Sequence, residues 1–177
     1  MRNDFRIDTP RLIIREVKMT DDKNILSAMS CPEIDSMHSN GFRNISHVQD
    51  YISLLVQEYE NNKFRTVAIA EKESDILIGT ITIDIPKYFS RAELGYWISI
   101  PYRNKGYATE AIKAIIEYGL LTLNLERIQA LHGINNPASG RILEKAGMVY
   151  EGTLRRYYSK NSNHKMYSAI RADLVQE

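Results

Sequence analysis

The chain has 177 residues, 44% hydrophobic and 25% charged, a composition that excludes a disordered or fibrous polymer and is long enough to bury a real core. Lys plus Arg number 23 against 22 Asp plus Glu, a net charge of +1, so no whole-protein field draws it to nucleic acid or to a membrane surface. Cys31 is the only cysteine, which rules out an internal disulfide and makes a reducing, cytoplasmic setting the expectation.

The opening stretch MRNDFRIDTPRL lacks the apolar core of a signal peptide, and no apolar run reaches the roughly 20 residues of a membrane span. No repeat or linker-like composition shift interrupts the chain, so one domain over residues 1–177 is expected.

Arg11–Val17 is short and β-branched, and reads as a strand after the turn-like DTP. TDDKNILSAMS offers Thr20 or Asp21 as the cap of a short helix. Cys31–Ile45 has no periodicity and reads as a loop. A helix follows, with Ser46 as its cap and Val48, Tyr51, Ile52, Leu55 and Tyr59 at helical spacing. Phe64–Glu71, Ile76–Ile85 and Arg91–Ile100 are strand candidates, and the short KESD link between the first two predicts an antiparallel hairpin.

After Ile100 the period changes. Ala108, Ile112, Ile115, Ile116, Leu120 and Leu123 line one face of a helix. Arg127–Leu131 is a short strand, and NPASGRILEKAGM is a second helix with Pro137 at its first position and Gly147 as its stop. Strand, helix, strand, helix implies a parallel pair with a crossover. VYEGTLRRYY and MYSAIRA close the chain as a hairpin. The sum is an α/β (α+β) fold: a mixed, mostly antiparallel sheet of about seven strands with about four helices.

PYRNKGYATEA, from Pro101 to Ala111, carries the first chemical signal. A helix start leaves about four backbone N–H groups unpaired at the positive end of the peptide dipoles, and phosphate oxygens satisfy both when the preceding turn lets the backbone come close. Gly106 grants that access, Asn104 tolerates positive φ, and Arg103 and Lys105 add charge. The spacing fits plain punctuation equally well. It is neither a Walker A loop nor a G-x-G-x-x-G fingerprint.

RNKGYA matches R/Q-x-x-G-x-G/A, the acyl-CoA pyrophosphate loop of the GNAT N-acetyltransferase superfamily. The ordered set TPRLIIRE, ELGYWI, RNKGYATEAI, NNPASGRILEKAGM and EG, from Thr9 to about Gly152, resembles its ribosomal-protein (RimJ/RimL-type) branch.

The resemblance implies a GNAT-like fold in which the strand ending near Ile100 splays from the parallel strand at Arg127–Leu131 to admit acetyl-CoA. It assigns the pyrophosphate to Arg103, Asn104, Lys105, Gly106, Tyr107, Ala108 and Thr109. The pantetheine arm falls to Ile98 and Ile100, and further cofactor contacts to Asn136 and Ser139. Two positions depart from the pattern: Asn104 stands where Gly is more usual, and Leu143 stands where many members carry an acid tyrosine.

The implied reaction is direct acetyl transfer from a thioester to an amine in a ternary complex. The amine must be neutral to attack. An α-amino group with pKa about 7.8 is roughly one-tenth neutral at pH 7, against about one in 2,500 for a lysine, so a base matters far less for a protein N-terminus. Glu93 is the candidate base, on a strand face with Gly95, Trp97 and Ser99; an exposed pair with Arg91 is the plain alternative. Ser139 is the candidate acid for the leaving thiolate, or simply a helix-start serine.

The expected acceptor is a protein N-terminal α-amino group of the ribosomal-protein kind. Polyamines, aminoglycosides and a CoA-binding module without catalysis are the alternatives. Acetyl-CoA and the amine are the expected partners, and a homodimer is compatible. His38, His47, His132 and His164 lack metal-ligand spacing with Cys31, so no metal is expected. The basic and aromatic stretch RRYYSKNSNHK reads as a solvated turn or as the lining of an acceptor groove.

Overall fold

The computed structural model describes residues 5–29, 44–60 and 66–175. Cys31, His38 and nearly all of the loop expected at 31–45 lie outside the described residues. Eight strands are present among the described residues: β1 (Arg6–Asp8), β2 (Leu12–Glu16), β3 (Thr66–Glu71), β4 (Leu77–Asp84), β5 (Arg91–Ile98), β6 (Arg127–Gly133), β7 (Val149–Leu154) and β8 (His164–Ala169). Four α-helices accompany them: α1 (Asp22–Met29), α2 (Ile45–Glu60), α3 (Tyr107–Glu117) and α4 (Pro137–Lys145). The strand beyond the expected seven is β1, three residues paired antiparallel to β2 with Ile7 opposite Ile14.

Two compact units divide the chain, Met1–Thr82 with Tyr96–Tyr107 and Ile83–Gly95 with Ala108–Glu177. In the first, the strands run β1-β2-β3-β4, each antiparallel to the next. Leu12, Ile13 and Ile14, and likewise Val67 to Ala70, are buried at consecutive positions. Both faces of these strands are covered, which is why they read as apolar runs rather than alternations.

The stripe Val48, Ile52, Leu55 and Tyr59 of α2 is buried with Ile25, Ala28 and Met29 of α1 and Trp97 of β5. Arg15 is buried in β2 because its guanidinium is saturated. Its two terminal nitrogens donate to Asp21 at 2.9 and 3.0 Å, and its Nε donates to Asp75 at 2.6 Å. The cap of α2 is Asn44, whose Oδ1 accepts from the His47 N–H at 3.0 Å, and not Ser46. Both are good capping residues, and only the point where the chain turns helical chooses between them.

In the second unit the order is β5-β6-β8-β7. β5 and β6 are parallel, while β8 is antiparallel to both β6 and β7. α3 buries Ala108, Ala111, Ile112, Ile115 and Ile116, and its last turn widens into a π turn at Tyr118–Thr122. α4 begins and ends as expected. Asn136 caps it, Pro137 is its first residue, and Gly147 stops it at φ 92°.

β5 ends at Ile98, two residues before its expected end. Ile100 lies in the 3-10 turn Ile100–Tyr102 and is more than half exposed. Proline at 101 cannot donate to a strand ladder and sets the dihedral of that turn instead. Within the first unit, Gly79 of β4 lies against the end of β5: a Cβ there would stand 2.2 Å from the Trp97 carbonyl oxygen and 2.8 Å from Ile98 Cδ1. Gly79→Ala is therefore expected to destabilise the protein by about 1–3 kcal/mol, the usual range for overpacking, measured by urea denaturation.

Candidate active site

The loop from Arg103 to Gly106 makes two left-handed residues in four, Asn104 at φ 61° and Gly106 at φ 81°. Asn is among the few non-glycine residues that adopt this region readily, so the departure at Asn104 leaves the backbone path intact. α3 begins at once with Tyr107. Ala108 is buried, Tyr107 and Thr109 are half-buried, and Asn104, Lys105 and Gly106 are exposed. Glycine at positive φ ahead of an eleven-residue helix start fits the pyrophosphate of a CoA thioester.

The charged residues of the loop are tied down. Arg103 Nε donates to the Ile98 carbonyl at 3.1 Å, and the Ser99 N–H donates to the Ile78 carbonyl at 2.8 Å. Lys105 Nζ lies 5.4 Å from the centre of the Tyr102 ring. From far along the chain, Arg11 Nη1 donates to the Lys105 carbonyl at 2.9 Å and its guanidinium covers the Tyr107 ring at 4.8 Å. Tyr107 in turn donates its hydroxyl to Glu71 at 3.3 Å. The sequence reading placed Arg11 at the start of a strand. The three-residue link between β1 and β2 that carries Arg11 outside the strand has no signature in composition or period.

Glu93 sits in the second unit at one end of a polar row. The parallel register sets Glu93 opposite Gln129, and the β6–β8 register sets Gln129 opposite Ser168. Gln129 Nε2 donates to Glu93 Oε2 at 2.8 Å, and the Tyr158 hydroxyl donates to Glu93 Oε1 at 3.2 Å. Arg127 Nε donates to Gln129 Oε1 at 3.2 Å, which fixes the orientation of that amide.

Arg127 also holds Glu151 by two bonds of 2.6 and 2.5 Å, and Ser168 donates to the same carboxylate at 2.6 Å. Gln129 and Ser168 are buried, and buried polar groups persist where their bonds are made. Arg91, the alternative partner of Glu93, instead lies over the Phe89 ring at 5.1 Å. Trp97 and Ile98 are both buried, so both faces of β5 are covered at its end. Burial raises the Tyr158 hydroxyl, helped by the charge and acceptor at Glu93, to about 12, so it stays a proton donor across the neutral range.

Asn136 Oδ1 accepts from the Ser139 N–H at 3.2 Å, which is the capping geometry. Ser139 is half-buried in the first turn of α4. Leu143, one turn on, is completely buried, so this position packs the core. Among the described residues no group of three His, Cys, Asp or Glu could hold a metal ion, and no helix is long and apolar enough to cross a membrane.

Residues 11–149 match the family model for the acetyltransferase (GNAT) domain. The chain is 30% identical to the uncharacterized N-acetyltransferase YoaA of Bacillus subtilis (strain 168), covering 93% of this chain and 96% of that one. Its fold superposes on the ribosomal-protein-S5-alanine acetyltransferase of Vibrio fischeri with a TM-score of 0.79 at 22% identity, covering 96% and 98% of the two chains. It also superposes on the microcin C7 self-immunity acetyltransferase MccE in complex with acetyl-CoA and AMP, with a TM-score of 0.78 at 19% identity, covering 92% and 93%.

The Arg127–Glu151 pair carries a pH signature. Hydrogen bonds from Arg127 and then Ser168 lower the Glu151 carboxyl from the ordinary 4.5 to about 2. A carboxyl depressed on folding contributes stability above its unfolded value, and that contribution is lost as pH falls toward the folded value. Glu151→Gln is expected to flatten the fall in urea midpoint between about pH 4.5 and pH 2 while changing the neutral midpoint less.

Proposed function

The chain belongs to the GNAT family of acetyltransferases, with acetyl-CoA as donor, and from that premise we propose that its acceptor is a protein N-terminal α-amino group. What supports this acceptor is the ordered resemblance to the ribosomal-protein branch from Thr9 to about Gly152, and the Glu93 carboxylate, gripped by Gln129 at 2.8 Å and by Tyr158 at 3.2 Å, supplies a base. A carboxylate held on two sides is a positioned proton acceptor. An amine with pKa about 7.8 asks little of it, whereas a lysine would have to lose more than three units of basicity.

Acetyl-CoA supplies an activated acyl group with a thiol leaving group. Arg103, Asn104, Lys105, Gly106, Tyr107, Ala108 and Thr109 seat its pyrophosphate through the loop backbone and the start of α3. Ile98 and Ile100 border the pantetheine arm, and the Asn136 amide adds a donor. Glu93 takes the proton of the incoming ammonium, and the freed amine attacks the acyl carbon. Ser139 donates a hydrogen bond to the sulfur as the C–S bond breaks, and the second proton leaves the new amide nitrogen for the thiolate, which departs as the CoA thiol. A thiol pKa near 8.5 makes that leaving group tolerable without a stronger acid, which accommodates Leu143. Holding both reactants in a ternary complex supplies much of the rate.

Mass-spectrometric screening of peptides with free N-termini, lysine peptides with blocked N-termini, and spermidine is expected to find acetylation on α-amino groups. Preference for lysine or spermidine overturns the reading, and CoA binding without any turnover assigns the chain to a non-catalytic role. Gly106→Val should abolish acetyl-CoA binding by calorimetry, since a β-branched residue cannot hold φ 81°. Glu93→Gln should lower kcat/KM by about 10²–10⁴, most steeply at acidic pH where the acceptor amine is protonated, and an unchanged pH profile rejects Glu93 as the base.

A further inference from the structure

The loop between β7 and β8, residues 155–163, is ordered by its own hydrogen bonds. The Tyr157 N–H donates to the Ser162 carbonyl at 2.9 Å, the Ser159 N–H to Ser162 Oγ at 2.9 Å, and the Arg156 N–H to Asn163 Oδ1 at 2.9 Å. Arg156 itself is held at φ 55°. An ordered loop can present side chains in fixed places, and this one presents aromatics to solvent. Tyr157 and Tyr158 are 44% and 64% exposed.

Their rings meet edge to face at 4.7 Å, and Tyr158 meets the His164 ring the same way at 4.8 Å. These contacts still leave about half or more of each tyrosine open to solvent. The Tyr158 hydroxyl ties this surface directly to Glu93, the proposed base.

The charge of the loop is one-sided. Arg155, Arg156 and Lys160 are all exposed, and the nine residues RRYYSKNSN contain no acid. Such a rim repels a polycation and attracts an acceptor whose neighbouring groups are anionic. Resting on the α-amino reading above, we propose that the β7–β8 loop selects protein N-termini with acidic residues directly after the acetylated amine. The exposed rings give the first residues a stacking surface, and Glu93 receives the α-ammonium.

Steady-state kinetics of the full chain at saturating acetyl-CoA would compare Ser-Asp-Glu-Ala, Ser-Lys-Arg-Ala and spermidine. The acidic peptide should show a KM about tenfold below that of the basic peptide, and the gap should close as salt shortens the Debye length. In the double variant Arg155→Glu, Arg156→Glu the order should invert with kcat little changed and with CoA affinity retained. Equal KM for the two peptides across salt concentrations overturns charge selection while leaving the α-amino reading standing. Spermidine preferred over both peptides overturns the two together. The salt series on the unaltered chain decides the matter even if the double variant misfolds.

Discussion

The parallel register of β5 against β6 is the constraint on which the candidate chemistry hangs. It sets Glu93 opposite Gln129, and the antiparallel register of β8 carries the row on to Ser168. A shift by one residue would turn the Glu93 side chain to the opposite face, because side chains alternate along a strand. Arg127 then orients the Gln129 amide by taking its oxygen, so the nitrogen faces Glu93. One backbone register thus determines which carboxylate is gripped, by which donors, and on which face.

The loop from Arg103 to Gly106 shows a second kind of determination. Its left-handed residues Asn104 and Gly106 are local properties of the chain. Its anchorage is not local, for Arg11 reaches it from before β2, and Tyr107 reaches Glu71 at the end of β3. Loops that bind ligands are fixed in this way by the rigid elements beneath them. Arg103 and Lys105 are as much part of that anchorage as sources of charge, the first bonded to the Ile98 carbonyl and the second lying over Tyr102.

Where local rules decide, the fold was legible in the sequence. The apolar stripe of α3, Pro137 at the first position of α4 and Gly147 at its end all stand where periodicity and capping chemistry put them. Where two local rules compete, the sequence does not separate them. Asn44 caps α2 although Ser46 is as good a cap. β5 ends before Ile100 although Ile100 suits a strand. The strand β1 has only three residues and carries no readable period.

The amino-acid sequence by itself determined the element types, the anion-receptive turn at Arg103–Gly106, and Glu93 and Ser139 as groups able to move a proton. These follow from backbone dihedral preference, hydrophobic period and side-chain chemistry, each of which acts within a few residues. Only the tertiary structure decided that Glu93 is held by Gln129 and Tyr158 rather than by Arg91, and that Arg11 clamps the loop. Those partners lie 36, 65 and 94 positions apart along the chain. No periodicity spans such separations, and the strand registers and loop paths that close them exist only in the folded molecule.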